Sequence, residues 1–150
     1  MRKLVAIVGA TGLMLVSGAA LAAGPGPKAT GGVAWENAAQ GLDIRAQFNA
    51  QPDSPAKGFF QIDVSGAQNW SYRGDVTCYQ QDGNSATFTG VVTASEDAGN
   101  PTTFKVTVED NGQGSNAAPD RIATLRNGGS NCGSPLPVLQ NVAKGNLQVH

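Results

Sequence analysis

Two cysteines, Cys78 and Cys132, are the residues best suited to nucleophilic or metal chemistry in this sequence. A cysteine nucleophile needs a histidine or a similar base beside it, and the one histidine is His150, the last residue. A zinc site needs about four ligands, which two cysteines and one terminal histidine do not supply. An exported chain with two cysteines favours a disulfide instead. We therefore predict a Cys78–Cys132 disulfide with a structural role.

Acidic residues offer a second kind of chemistry, glycoside hydrolysis by two carboxylates about 5 to 9 Å apart. Asp75 with either Glu109 or Asp110 would form such a pair. Asp75 and Glu109 each fall on the polar face of a predicted strand, however, where solvated charges are usual. The sequence also has no serine-nucleophile motif, phosphate-binding glycine loop or metal-binding histidine pair. We predict that the protein is not an enzyme and needs no cofactor.

The segment DNGQGSNAAPD, residues 110–120, is a weak candidate for a calcium site. Asp110, Asn111 and Asp120 carry oxygen atoms of the kind that extracellular Ca²⁺ sites use. Their spacing does not match the twelve-residue calcium loop that ends in a glutamate. Asp-Asn-Gly is also common turn chemistry, so a plain loop is the competing interpretation.

Five aromatic side chains offer a surface for a sugar or another small ligand. They are Trp35, Phe59, Trp70, Tyr72 and Tyr79. Alternation along the strand places Trp70 and Tyr72 on the same buried side as Cys78. Phe59 and Tyr79 fall on the opposite faces of their strands, which makes them the two ligand-binding candidates.

The N-terminal residues have the pattern of an export signal. Arg2 and Lys3 precede an apolar run, and Ala20-Leu21-Ala22 offers small residues at a cleavage site. A membrane anchor is the alternative, but the glycines of the run weaken it. We predict a signal peptide at 1–22, a flexible Gly/Pro segment at 23–32 and a single domain at 33–150, secreted from a bacterial cell.

Charge limits the partners of the secreted chain. Without residues 1–22 it carries 8 basic and 11 acidic residues, a formal charge of −3. Nucleic acids and anionic membranes select basic surfaces, so neither is an expected partner. No second apolar span occurs, so we predict no membrane span in the mature chain. An unknown extracellular protein or a surface glycan remains as the partner, and we expect a monomer.

The polarity pattern of residues 42–149 has a period of two, which indicates β-strands with one buried face. Residues 42–50 and 103–109 show it most clearly, and Asp82-Gly83 predicts a hairpin between strands 72–80 and 86–93. Gly74 lies inside one of these strands, where glycine often marks a bulge. Cys78 is expected to face inward. The prediction is an all-β fold of about seven to eight antiparallel strands, arranged as a sandwich or a small barrel.

The order of several short motifs resembles a known group of small secreted bacterial β-domains, the post-choice-of-anchor type. The motifs are FNAQ (48–51), GFFQ (58–61), GDVTC (74–78), TFTGVVT (87–93), FKVTVEDNG (104–112), the late Cys132 and the terminal GNLQVH. The resemblance covers residues 33–150. It implies export and a β fold, and it implies no catalytic residues.

The leading functional hypothesis is a secreted, non-catalytic β-domain that serves as a structural or protein-interaction module at the cell surface or in the medium. The alternative is a small-ligand or carbohydrate-binding β-barrel carrier, which requires an internal cavity of a few hundred Å³. The least favoured hypothesis is an extracellular hydrolase that uses two carboxylates.

Overall fold

A computed structural model describes residues 26–150, which form nine β-strands and no helix. The strands are β1 (Ala29–Asn37), β2 (Leu42–Gln51), β3 (Lys57–Gly66), β4 (Trp70–Asp82), β5 (Ser85–Ser95), β6 (Thr103–Glu109), β7 (Arg121–Arg126), β8 (Gln140–Asn141) and β9 (Lys144–Val149). The all-β prediction is confirmed. The predicted signal peptide at 1–22 lies outside the described residues. In the part of the chain that is described, no helix could span a membrane.

All nine strands belong to one antiparallel sheet in the order β8-β7-β6-β5-β4-β3-β2-β1-β9. Strands β1 to β8 pair with their neighbours in sequence, as short connections favour. The last strand, β9, returns to pair with β1. Only Val142 and Ala143 separate β8 from β9, although these strands lie at the two ends of the sheet. The sheet is therefore curled into a half-barrel, and the segment 140–149 links its two edges.

The concave face of the sheet is filled with apolar side chains. Phe48 of β2 lies 5.5 Å from Phe88 of β5, and Phe60 of β3 lies 5.1 Å from Phe104 of β6, between ring centroids. These residues come from strands three apart in the sheet, so opposite walls meet across the interior. Burial of such rings is the main source of stability in a domain of this size.

The first strand begins earlier than the sequence predicts. β1 starts at Ala29, inside the 23–32 segment that its glycines and prolines identify as flexible. Gly31 has a packing role there, because a Cβ at this position would lie 2.6 Å from the ring of Phe48. Composition alone indicated a loop, but the strand partner on each side, β2 and β9, overrides that local preference.

The predicted hairpin is confirmed: β4 and β5 pair around the Asp82–Ser85 turn. The pairing has two irregularities, one between Arg73 and Gly74 and one between Val76 and Cys78. The first agrees with the bulge expected at Gly74. The second was not expected, and it changes which face every later residue of β4 occupies.

Because of this second bulge, the predicted orientations of Cys78 and Tyr79 are wrong. Cys78 pairs with Thr89 on the convex face, whereas Tyr79 pairs with Phe88 and packs against the core. One extra residue, Thr77, reverses the alternation, since successive side chains point to opposite faces. The predicted disulfide itself is confirmed, with the Cα atoms of Cys78 and Cys132 5.9 Å apart.

The segment 127–139, which we call the strap, crosses the convex face of β4, β5 and β6. The disulfide holds its centre, Thr89 donates a hydrogen bond to the Ser130 carbonyl, and the Leu136 amide donates to Thr107. Four convex-face residues that alternation assigns to the exposed face are buried on this side of the sheet: Thr87, Thr89, Lys105 and Thr107. Their positions on the convex face were predicted correctly, but their exposure was not.

Candidate ligand-binding site

A cavity of about 610 Å³ opens at one end of the half-barrel, where the wall between β7 and β1 is incomplete. β8 pairs only with Arg121 and Ile122 of β7, and β9 pairs with β1 only from Ala29 to Ala34. The rest of β7 and the end of β1 therefore have no strand neighbour on this side within residues 26–150. The cavity lies in the gap, and its volume is typical of small-molecule sites.

Both tryptophans of the chain line this cavity. Trp35 comes from β1 and is 3% exposed, whereas Trp70 begins β4 and is half-buried. Trp70 stacks on Tyr72 with ring centroids 5.9 Å apart and an interplanar angle of 3°. Apolar side chains of β2 and β3, Leu42, Ile44 and Ile62, complete the inner wall.

The indole Nε1 atoms of Trp35 and Trp70 are buried and have no hydrogen-bond partner among the described residues. An indole N–H can only donate. Leaving a buried donor unpaired costs about 1 to 3 kcal/mol, so such groups are rare in folded proteins and call for an explanation. Both residues line the cavity, but their Nε1 atoms are closed to solvent, so the indoles contribute an aromatic wall and not hydrogen-bond donors.

A buried ion pair lies beside the tryptophans. Asp97 is 6% exposed, and its Oδ2 accepts a hydrogen bond of 2.5 Å from Arg126 Nη1. Its Oδ1 accepts from the Gly99 amide at 2.8 Å. Burial by itself raises the pKa of the Asp97 carboxyl, but the hydrogen bonds from Arg126 and Gly99 and the Arg126 charge outweigh it and lower the pKa.

Arg126 also contacts the aromatic wall. Its guanidinium carbon lies 4.7 Å from the ring centre of Trp70, within the range of a cation–π interaction. Alternation along β7 explains this position, because Arg126 pairs with Phe104, a residue of the concave face. Its side chain is 45% exposed, so its remaining N–H groups can reach a ligand in the cavity.

Amide side chains at the rim are oriented by contacts that occupy their oxygens. Gln40 Oε1 accepts from Asn37 Nδ2, and Asn127 Oδ1 accepts from the Thr102 amide at the same distance of 2.9 Å. The NH₂ groups of Gln40 and Asn127 make no hydrogen bond within the described residues. The rim therefore adds further donors to those of Arg126.

The two ligand-binding residues predicted from the sequence do not share a surface. Phe59 lies on the convex face opposite Asp75, with Arg73 5.6 Å above its ring. Tyr79 lies on the concave face, and burial raises its pKa to about 12. The structure instead brings together Trp35 and Trp70, which the sequence identified only as possible members of a ligand site.

The predicted calcium ligands have structural contacts. Asp110 accepts hydrogen bonds from the amides of Gly112 and Val149, and Asp120 accepts one from the Asn111 amide. These contacts tie the 110–120 loop to the end of β9. No group of three acidic, histidine or cysteine side chains that could hold a metal ion occurs in residues 26–150, so the calcium prediction gains no support.

The predicted carboxylate pair is not assembled. Asp75 pairs with Val91 and Glu109 pairs with Ser85, which puts them on either side of β5 and about 20 Å apart along it. Glu109 is instead bound by Arg121 through hydrogen bonds of 2.6 and 2.7 Å, and these lower the pKa of its carboxyl. The absence of an enzymatic activity stays a prediction.

Arg126 and Asp97 were not found by sequence reasoning. Arg126 follows Ile122 and Thr124 at a spacing of two, so the period of β7 was the signal that could have placed it on the concave face. Asp97 lies in a polar loop between β5 and β6, and nothing in its local pattern indicates burial.

Comparisons with known proteins found no match for this chain. No protein-family model matches the chain, and neither a curated protein nor a solved structure is significantly similar to it. The resemblance to post-choice-of-anchor domains therefore stays a prediction, and the proposals below depend on the geometry of the chain itself.

Proposed function

We propose that this protein is a secreted β-domain that binds a small ligand in the cavity between β7 and β1. The observation that carries the proposal is a cavity of about 610 Å³ whose largely apolar wall carries the guanidinium of Arg126, most of whose N–H groups have no partner within the described residues. The phenylalanine core fills another part of the half-barrel and leaves this cavity open.

Export is part of the proposal. The charged and apolar pattern of residues 1–22 and the Cys78–Cys132 disulfide both support it, since disulfides persist in oxidising compartments. Mass spectrometry of protein collected from the medium tests both features. We expect a mature chain that begins after Ala22 or Ala23 and gains mass on reduction and alkylation. A chain that retains its first residues, or that has two free thiols, would contradict export.

Ligand binding is tested with the natural fluorescence of the protein. Its two tryptophans both line the cavity, so excitation at the red edge of indole absorption reports on this site alone. We expect at least one compound from a broad library of anionic, neutral and cationic small molecules to change the emission saturably. Thr124→Phe narrows the cavity and should abolish the change, whereas Thr93→Phe, on an exposed strand position, should not. If no class of compound changes the emission, the proposal fails.

An interaction module is the second candidate, and one observation favours it. β7 beyond Ile122 and β1 beyond Ala34 have edges without a strand neighbour in the described chain, and such edges accept an added strand from an extended peptide. Peptide binding would depend on backbone groups of these edges. It would therefore survive Arg126→Gln, which distinguishes it from small-ligand binding.

A further inference from the structure

We infer that the ligand of this cavity is a small organic carboxylate, whose oxygens accept hydrogen bonds from Arg126. The inference rests on the ligand-binding function proposed above and narrows it to one chemical class. Three features of the cavity support it: the hydrogen-bond donors without a partner, the position of the charges, and the extent to which the aromatic rings are covered.

Free donors lie beside the Asp97 carboxylate. Arg126 and the side-chain amides of Gln40 and Asn127 have N–H groups without a partner among the described residues. Both oxygens of Asp97 are already occupied, one by Arg126 and one by the Gly99 amide. A ligand at this position therefore has to supply acceptor atoms. A carboxylate is acceptor-only and offers about four lone-pair positions on two oxygens.

The charges favour an anion. Asp97 and Arg126 are the only charged side chains that line the cavity in the described chain. Arg126 carries five N–H donors and uses one of them on Asp97, and its side chain is 45% exposed. Its planar group binds carboxylates with paired hydrogen bonds, which are about twice as strong as neutral ones. A carboxylate would thus complete the coordination of a guanidinium that Asp97 and Trp70 already hold in place.

The aromatic faces do not suit a sugar. Trp35 is 3% exposed, and the ring of Trp70 contacts both Tyr72 and Arg126. Neither ring offers an open face on which a sugar ring could stack. A sugar hydroxyl would accept from Arg126 only as a neutral group, whose hydrogen bond is weaker than that of a carboxylate. Leu42, Ile44 and the exposed Val138 suit the apolar part of an organic acid instead.

The experiment is a fluorescence titration of the full mature chain with matched probes. Benzoate and hexanoate are compared with benzamide and methyl benzoate, which have similar shapes without the charge, and with glucose and N-acetylglucosamine. We expect at least one carboxylate to bind saturably and at least tenfold more tightly than every neutral probe. Arg126→Gln should weaken carboxylate binding tenfold or more. Arg73→Gln, which removes an arginine over Phe59 on the convex face, is the matched control and should have no effect.

Three further variants test the roles of Asp97, of Trp70 and of the charge of Arg126. Asp97→Asn removes the anion that competes for Arg126 and leaves the cavity with a net positive charge, so carboxylate affinity should increase in the folded fraction. Trp70→Phe removes the indole against which Arg126 lies, and should weaken binding with Trp35 as the remaining fluorophore. If Arg126→Gln does not fold, Arg126→Lys retains the charge and should bind carboxylates more weakly than the unmodified protein.

The outcomes separate the inference from the function on which it rests. Binding of a neutral probe without binding of either carboxylate overturns the inference and leaves the ligand-binding function in place. Carboxylate binding that Arg126→Gln and Arg73→Gln affect equally overturns it as well, since Arg126 would then have no specific part. Failure of every compound in the broad library overturns the function itself.

Discussion

Arg126 donates a hydrogen bond to Asp97 while its guanidinium carbon lies 4.7 Å from the ring centre of Trp70. One side chain thus joins the loop between β5 and β6 to the aromatic wall at the start of β4. All three residues line the cavity, so these two contacts contribute to its shape and polarity.

We expect Asp97→Asn to lower the free energy of unfolding by about 1 to 3 kcal/mol at pH 7, the usual range for hydrogen bonds to a charged group. The pKa of Asp97 is lowered in the folded state. Its contribution is therefore fully present above the unfolded pKa of about 3.9 and is lost as the pH falls through the folded value. Urea unfolding between pH 7 and pH 3 measures this, and the gap between the two proteins should close at the acidic end. A gap that stays constant with pH would contradict an ionised Asp97.

The strap depends on its disulfide. Cys78 and Cys132 are 54 residues apart, and in the chain-entropy model a cross-link of that span stabilises by about 4 kcal/mol. We expect the double substitution of both cysteines by alanine to lower the free energy of unfolding by up to that amount. Limited proteolysis should then cleave within 127–139 first, because beyond Ser130 the hydrogen bond from the Leu136 amide to Thr107 remains as its attachment to the sheet. Cleavage that begins elsewhere would show that the strap does not need the disulfide.

Neighbouring glycines in β1 should differ sharply in their tolerance of alanine. A Cβ at Gly31 would lie 2.6 Å from the buried ring of Phe48, whereas a Cβ at Gly32 would have no neighbour within 4 Å. Overpacking typically costs about 1 to 3 kcal/mol, so Gly31→Ala should lower the melting temperature by several degrees. Gly32→Ala, the matched control, should change stability by less than about 0.5 kcal/mol. Equal effects would mean that β1 is not paired in this register.

The two tyrosines should not ionise at their ordinary pH. Burial raises the pKa of Tyr79 to about 12, and burial likewise raises the pKa of Tyr72, which lies in the core. Absorbance of the folded protein at tyrosinate wavelengths should stay flat up to about pH 11. Because the unfolded chain ionises near pH 10, the free energy of unfolding should fall as the pH rises above that value. One tyrosine titrating near pH 10 in the folded state would place Tyr79 on the surface.

Period-two alternation, the Asp82-Gly83 turn and the count of cysteines were enough to predict an all-β fold, the β4–β5 hairpin and the disulfide. These features depend on local backbone preferences and on chemistry that one chain segment carries by itself. The same local signals misplaced the start of β1, because pairing with β2 and β9 outweighs the glycines of residues 29–32.

The tertiary structure decided the rest. The bulge at Thr77 is a feature of the pairing between β4 and β5, and this one residue exchanges the faces of Cys78 and Tyr79. The cavity forms because the segment 140–149 is shared between β7 and β1 and covers each of them only in part. Trp35, Trp70, Asp97 and Arg126 meet there from four separate parts of the chain. Such a meeting depends on sheet curvature and strand register, which are properties of the whole packed domain and not of any segment within it.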